Sequence, residues 1–107
     1  MILDDADLAS ACVVAAFTVC THAGQGCAIT TRLLVPRTLF DEAVDSTSRV
    51  MAKLPAGDPT DPGTICGPLV SARQRDRVEG YLRLAIEEGG SFALGGGRPD
   101  GLSIATE

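Results

Sequence analysis

"HAGQGCAITTRLLVP", His22 to Pro36, sets one thiol between a glycine-rich turn and a β-branched run that stops at proline. The run Ala28 to Val35 has a continuous apolar end, which predicts a strand covered on both faces, as in a parallel sheet. Gly24 and Gly26 free the backbone beside Cys27, because a residue without Cβ permits unusual dihedrals and close approach. A structural cysteine needs no such clearance, since it acts as a small apolar filler. A nucleophile does.

Upstream, Leu8, Ala11, Cys12, Ala15, Ala16 and Val19 recur at helical spacing after a plausible N-cap, Asp7. Val13, Val14 and Phe17 make the remaining face apolar too, and such a helix belongs inside a larger body. Downstream, Leu39, Phe40, Ala43, Val44, Thr47, Val50, Met51 and Leu54 trace an amphipathic helix, with Thr38 and Asp41 spaced as a capping box. Pro55 to Leu69 reads as a long connection in which Pro62 and Gly63 suit a type II turn. Ser71 and Gln74 form a second capping box, Val78, Leu82, Ala85 and Ile86 share a face, and Gly89-Gly90 ends the helix. "SFAL", Ser91 to Leu94, predicts a short second strand, and "GGGRPDG" after it a loop.

This order implies an α/β architecture, part of a parallel, helix-covered sheet. A stable sheet needs about three strands and the sequence supplies two, so the rest of the sheet is expected elsewhere. The chain is accordingly read as one piece of a single domain.

Nine basic residues scattered among fourteen acidic ones give a net charge of −5, which disfavours nucleic acid, since phosphate binding wants a clustered basic face. The apolar stretch Leu8 to Cys20 is too short for a span of about 20 residues and lacks a basic leader, so neither membrane nor export is expected. The four cysteines show no C-x-x-C pair and no histidine partners for zinc, so no metal is expected. Free thiols suit a reducing, cytoplasmic compartment.

A thiol of pKa about 8.5 needs backbone amides, a helix N-terminus or a cation to become a nucleophile at neutral pH. Gly24 and Gly26 would let amides converge on Cys27, but spacing alone leaves a buried cysteine in a tight turn as the default. His22, the sole histidine, raises a cysteine-histidine hydrolase or acyl transferase as an alternative, although residues five apart on a turn seldom meet in line. "GQG" is no dinucleotide fingerprint, because Ile29 stands where the third glycine belongs and the motif precedes its strand. Cys12 and Cys20 read as core thiols and Cys66 as a loop thiol.

"AGQGC" with "TTRLLVP" behind it resembles the active-site cysteine segment of the aldehyde dehydrogenase superfamily. "ILDDADL" is similar to the stretch leading into the preceding helix, and "GDPTDPGTICGPLVSARQRDRVEGYLRLAIEEGG" to the segment after the following one. The resemblance covers residues 2 to 98. It implies that Cys27 is the nucleophile that adds to an aldehyde carbonyl, its own N–H helping to hold the oxyanion. NAD or NADP would then take hydride, and a glutamate-activated water would release the carboxylic acid from a thioester. Gln74 aligns with a position that touches the cofactor ribose, and Arg77 lies one turn along; capping and solvent exposure are their competing readings. Thr21 and His22 depart from the aromatic and asparagine of many relatives. The resemblance further implies a homo-oligomeric full-length enzyme whose nucleotide-binding domain, general-base glutamate and oxyanion asparagine precede Met1, and whose second cofactor-contacting glutamate follows Glu107. The chain alone is therefore expected to be inactive. A noncatalytic assembly module driven by the apolar first helix is the remaining alternative.

Overall fold

Asp7 starts the first helix as the sequence predicts: its carboxylate accepts from the Ser10 N–H at 3.2 Å and the Ser10 hydroxyl at 2.7 Å. In the computed structural model, which describes residues 1–98, this helix is α1, Leu8–Cys20. Helix α2 spans Phe40–Met51 and α3 spans Ala72–Glu87. Helices α1 and α2 pack together, whereas α3 packs against neither and buries no residue.

The core is small and built from small side chains. Cys12 and Ala16 on α1 and Ala43 on α2 are buried, with Ile2 added from the N-terminal segment. Small residues let the two helix backbones approach closely, and the Cys12 thiol lies 3.8 Å from the Ala43 carbonyl. The opposite side of α1 is open: Val13, Val14 and Phe17 are exposed, as its all-round apolar character implies for a helix with one neighbour.

Three expectations are corrected. The capping box of Thr38 and Asp41 does not form; residues Arg37–Leu39 wind into a 3-10 turn and α2 begins after Leu39 without a side-chain cap. The Leu39 N–H donates to Pro36 O at 3.0 Å, so the backbone closes the turn before Thr38 can cap. Pro62 and Gly63 do occupy a turn, closed by the Thr64 N–H on Asp61 O at 3.0 Å. It is not type II, because Gly63 has no positive φ; the Asp61 carboxylate captures the Gly63 N–H at 2.8 Å and fixes the alternative geometry.

The third correction concerns the two strands expected within this chain. Among the described residues there is no strand, neither at Ala28 to Val35 nor at Ser91 to Leu94. A strand exists through its ladder, and residues 28–35 find one backbone partner outside their own turn, the Ile2 N–H on Leu34 O at 2.9 Å. Leu33 and Leu34 are left exposed. The connection 55–69 closes on itself instead, through an isolated parallel bridge between Ala56 and Cys66 and the Ile65 and Cys66 N–H groups on Pro55 O. The expected loop after Leu94 lies partly outside the described residues, as does everything beyond Arg98.

Helix α3 follows its sequence signals more closely. Ser71 Oγ accepts from the Gln74 N–H at 3.2 Å, giving half of the expected box. At the far end, Gly89 turns at φ +88° while the Gly90 N–H reaches Ala85 O at 2.7 Å. A Cβ on Gly90 would stand 2.7 Å from that same carbonyl, so glycine is required there.

Three carboxylates, exposed at Asp7 and Asp58 and half-buried at Glu79, are held below their ordinary values. Asp7 is lowered by the Ser10 hydroxyl and N–H, Asp58 by the Thr60 N–H and hydroxyl, and Glu79 by the Arg98 guanidinium at 2.7 Å. A carboxylate depressed on folding adds stability above the ordinary carboxylate range and loses it as pH falls through the folded value. Thermal melts followed by circular dichroism are thus expected to shift downward as pH drops below about 4. Ser10→Ala is expected to shrink that shift, because it removes the largest cause acting on Asp7.

Candidate active site

The candidate site begins where α1 stops. Thr21 caps the helix, its N–H on Phe17 O and its hydroxyl on Thr18 O at 2.8 Å. The chain then turns through three consecutive left-handed residues, His22 at φ 52°, Ala23 at 54° and Gly24 at 72°. Only glycine adopts this region without steric cost, so His22 and Ala23 carry strain that the surroundings must hold in place. Gly24 is the one conformational requirement that the sequence meets with glycine.

Gly26 matters for space rather than for φ. A Cβ there would stand 3.1 Å from Ile29 Cγ2 and 4.0 Å from His22 Cδ2, so the loop folds tightly over this residue. Cys27 follows on the outside of the turn. It is exposed, whereas Cys12 is buried and Cys20 and Cys66 are half-buried. Burial pushes the Cys20 thiol up, and the neighbouring Cys66 adds to the effect. Cys27 is therefore the most accessible of the four sulfurs.

Gln25 ties this loop to a distant part of the chain. Its backbone N–H and its side-chain Nε2 both donate to His22 O, at 3.1 and 3.3 Å. Its Oε1 accepts from the Val70 N–H at 3.2 Å, across 45 residues of sequence. Val70 immediately precedes Ser71, the N-cap of α3, so the cysteine loop is joined to the start of the helix that carries Gln74 and Arg77. Nothing in the sequence marks Val70 as this partner, because the link uses a backbone amide, which every non-proline residue has.

The other anticipated residues are placed as follows. Gln74 is half-buried in the first turn of α3, and its side chain makes no hydrogen bond among the described residues. Arg77 is exposed, with its guanidinium 6.0 Å from the centroid of the Tyr81 ring. No hydrogen bond among the described residues reaches Cys27 Sγ, either from His22 or from a backbone amide. The cysteine-histidine pairing thus has no geometric support. Two surface hollows, one lined by Val35, Arg37, Phe40 and Asp41 and one by Val44, Asp45, Ser48, Arg49 and Ala93, lie away from Cys27. The described residues contain no cluster of three metal-ligating side chains and no helix long and apolar enough to cross a membrane.

Comparison with known proteins gives this geometry a context. The vanillin dehydrogenase of Amycolatopsis sp. is 38% identical over 96 residues, covering 90% of this chain and 20% of its own length. The crystal structure of Mycobacterium tuberculosis aldehyde dehydrogenase complexed with NAD+ superposes with a TM-score of 0.88 at 48% identity, over 94% of this chain and 21% of that one. A mutant of aldehyde dehydrogenase C from Pseudomonas syringae, in complex with NAD+ and octanal, gives a TM-score of 0.88 at 31% identity, over 92% and 21%. The chain thus spans about a fifth of the length of the relatives it matches. The profile of the aldehyde dehydrogenase family matches residues 1–105, and the chain belongs to that family.

Proposed function

We propose that this chain is the nucleophile-bearing part of an NAD(P)-dependent aldehyde dehydrogenase, with Cys27 the residue that attacks the aldehyde. The observation that carries the reading is the exposed Cys27 on a strained loop tied to α3, within a chain that belongs to this family. The Cys27 thiolate adds to the carbonyl carbon, forming the carbon–sulfur bond and moving the π electrons onto oxygen. The Cys27 N–H is the donor within this chain assigned to that oxyanion. When bound, the nicotinamide cofactor supplies the acceptor for the hydride that the adduct carbon gives up, which leaves a thioester on Cys27. Water, deprotonated by a glutamate assigned to the rest of a longer polypeptide, opens the thioester to the acid and returns the thiol.

Gln74 and Arg77 fit a nucleotide. An uncommitted side-chain amide and an exposed guanidinium on successive turns offer donors suited to ribose hydroxyls and phosphate oxygens. In the longer polypeptide, residues 28–35 are assigned to a parallel sheet that covers Leu33 and Leu34, and the full-length enzyme is assigned to a cytoplasmic homo-oligomer.

Peptide mapping after brief iodoacetamide treatment tests the reading, together with an aldehyde-dependent NAD+ reduction assay on the 107-residue chain. Alkylation is expected at Cys27 ahead of Cys20, Cys66 and Cys12, with no hydride transfer by this chain alone. Turnover by the chain, or labelling led by another cysteine, would overturn it.

A further inference from the structure

We propose that Gln25 is the positioning residue of the cysteine loop, clamping it to the residue before α3 so that Cys27 keeps a fixed place relative to that helix. The inference deepens the assignment of Cys27 as nucleophile and rests on it.

Gln25 is exposed, yet both ends of its side-chain amide are used. Nε2 donates to His22 O at 3.3 Å and Oε1 accepts from the Val70 N–H at 3.2 Å. Fixing a long glutamine side chain at the surface costs rotamer entropy, so two directed bonds from one side chain mark a held element rather than a solvated one. The first bond closes the turn in which His22 and Ala23 sit at positive φ, a conformation that persists only where other contacts over-determine it.

The second bond does what packing does not. Helix α3 packs against neither α1 nor α2, and among the described residues the Gln25–Val70 bond is the hydrogen bond that joins residues 21–30 to residues 70–98. From Val70 the connection continues without a gap, since the next residue, Ser71, accepts from the Gln74 N–H. Gln25 therefore links the loop bearing the sulfur to the turn bearing Gln74. A nucleophile that must meet a substrate carbon lying against a separately bound cofactor needs such a fixed relation, because misplacement by about 1 Å can cost about a hundredfold in rate.

The test uses the 107-residue chain with a methanethiosulfonate nitroxide on Cys27, added below stoichiometry so that the exposed thiol reacts first. Gln25→Met keeps the volume and loses both bonds; Gln25→Glu keeps an acceptor for Val70. Gln25→Met is expected to sharpen the spin-label spectrum and to speed exchange of the Val70 amide about five- to tenfold, with α1 amides unchanged. Gln25→Glu is expected to restore the restricted spectrum and the slow Val70 exchange, a rescue that a volume-filling role would not show. A label already mobile in the unmutated chain, an unchanged spectrum in Gln25→Met, or a Gln25→Glu variant as mobile as Gln25→Met would overturn the proposal. None of these outcomes depends on aldehyde chemistry, so failure of Cys27 to act as a nucleophile is read separately.

Discussion

If Cys27 is the nucleophile we propose, Cys27→Ala is expected to abolish aldehyde-dependent NAD+ reduction in any full-length aldehyde dehydrogenase that contains this segment, lowering kcat/KM by about 10^4-fold or more. In the proposed mechanism the size follows from covalent catalysis: without the sulfur there is no thiohemiacetal, and hydride must leave a bare aldehyde or its hydrate. Stability is expected to stay put, because Cys27 is exposed and its thiol makes no hydrogen bond among the described residues. Steady-state kinetics beside a thermal melt separates the two effects. Cys12→Ala is the informative control. It removes a buried thiol from the α1–α2 contact and is expected to lower the melting temperature without touching the chemistry.

Ala43→Leu is expected to produce a large loss of stability in the helical pair. Ala43 is 2% exposed, and Cys12, which lies against its carbonyl, is fully buried. Three extra carbons at that contact must push α1 and α2 apart or force strained rotamers, which costs about 1–3 kcal/mol. In a chain of this size each kcal/mol moves the melting temperature by roughly 4–8 °C, so a drop of about 4–24 °C is expected. A core built on four small or medium side chains has little reserve to absorb the change. Ala9→Leu, on the exposed side of α1, is expected to leave the melt within about 2 °C. Circular dichroism melts of the two variants decide the point.

What the sequence made legible follows the range of the interaction that fixes each feature. The starts of α1 and α3 were readable because Asp7 reaches Ser10 and Ser71 reaches Gln74, three residues away. The Gly89-Gly90 stop was readable for the same reason. Thr38 and Asp41 carried the right spacing, but a backbone turn from Pro36 to Leu39 displaced the cap, and competition of that kind leaves no mark in residue type. The β-branched run at 28–35 has strand composition, yet a strand is defined by its partners, and the described residues give it none beyond Ile2. Composition reported a preference there and not a structure.

The candidate site divides in the same way. Glycines around Cys27 permitted an open thiol but left a buried cysteine in a tight turn as the default, and the structure has Cys27 exposed. The amides expected to converge on its sulfur do not do so among the described residues, and the glycines instead serve the left-handed turn and the close approach at Gly26. The bond from Gln25 to Val70 was out of reach, since it spans 45 residues and ends on a backbone amide.

The attack of Cys27 on an aldehyde is tested most directly by carbon-13 NMR of the chain mixed with an aldehyde labelled at its carbonyl carbon. The account predicts a new tetrahedral-carbon signal from the sulfur adduct that disappears in Cys27→Ser. A spectrum without that signal, or one in which it survives the substitution, would contradict it.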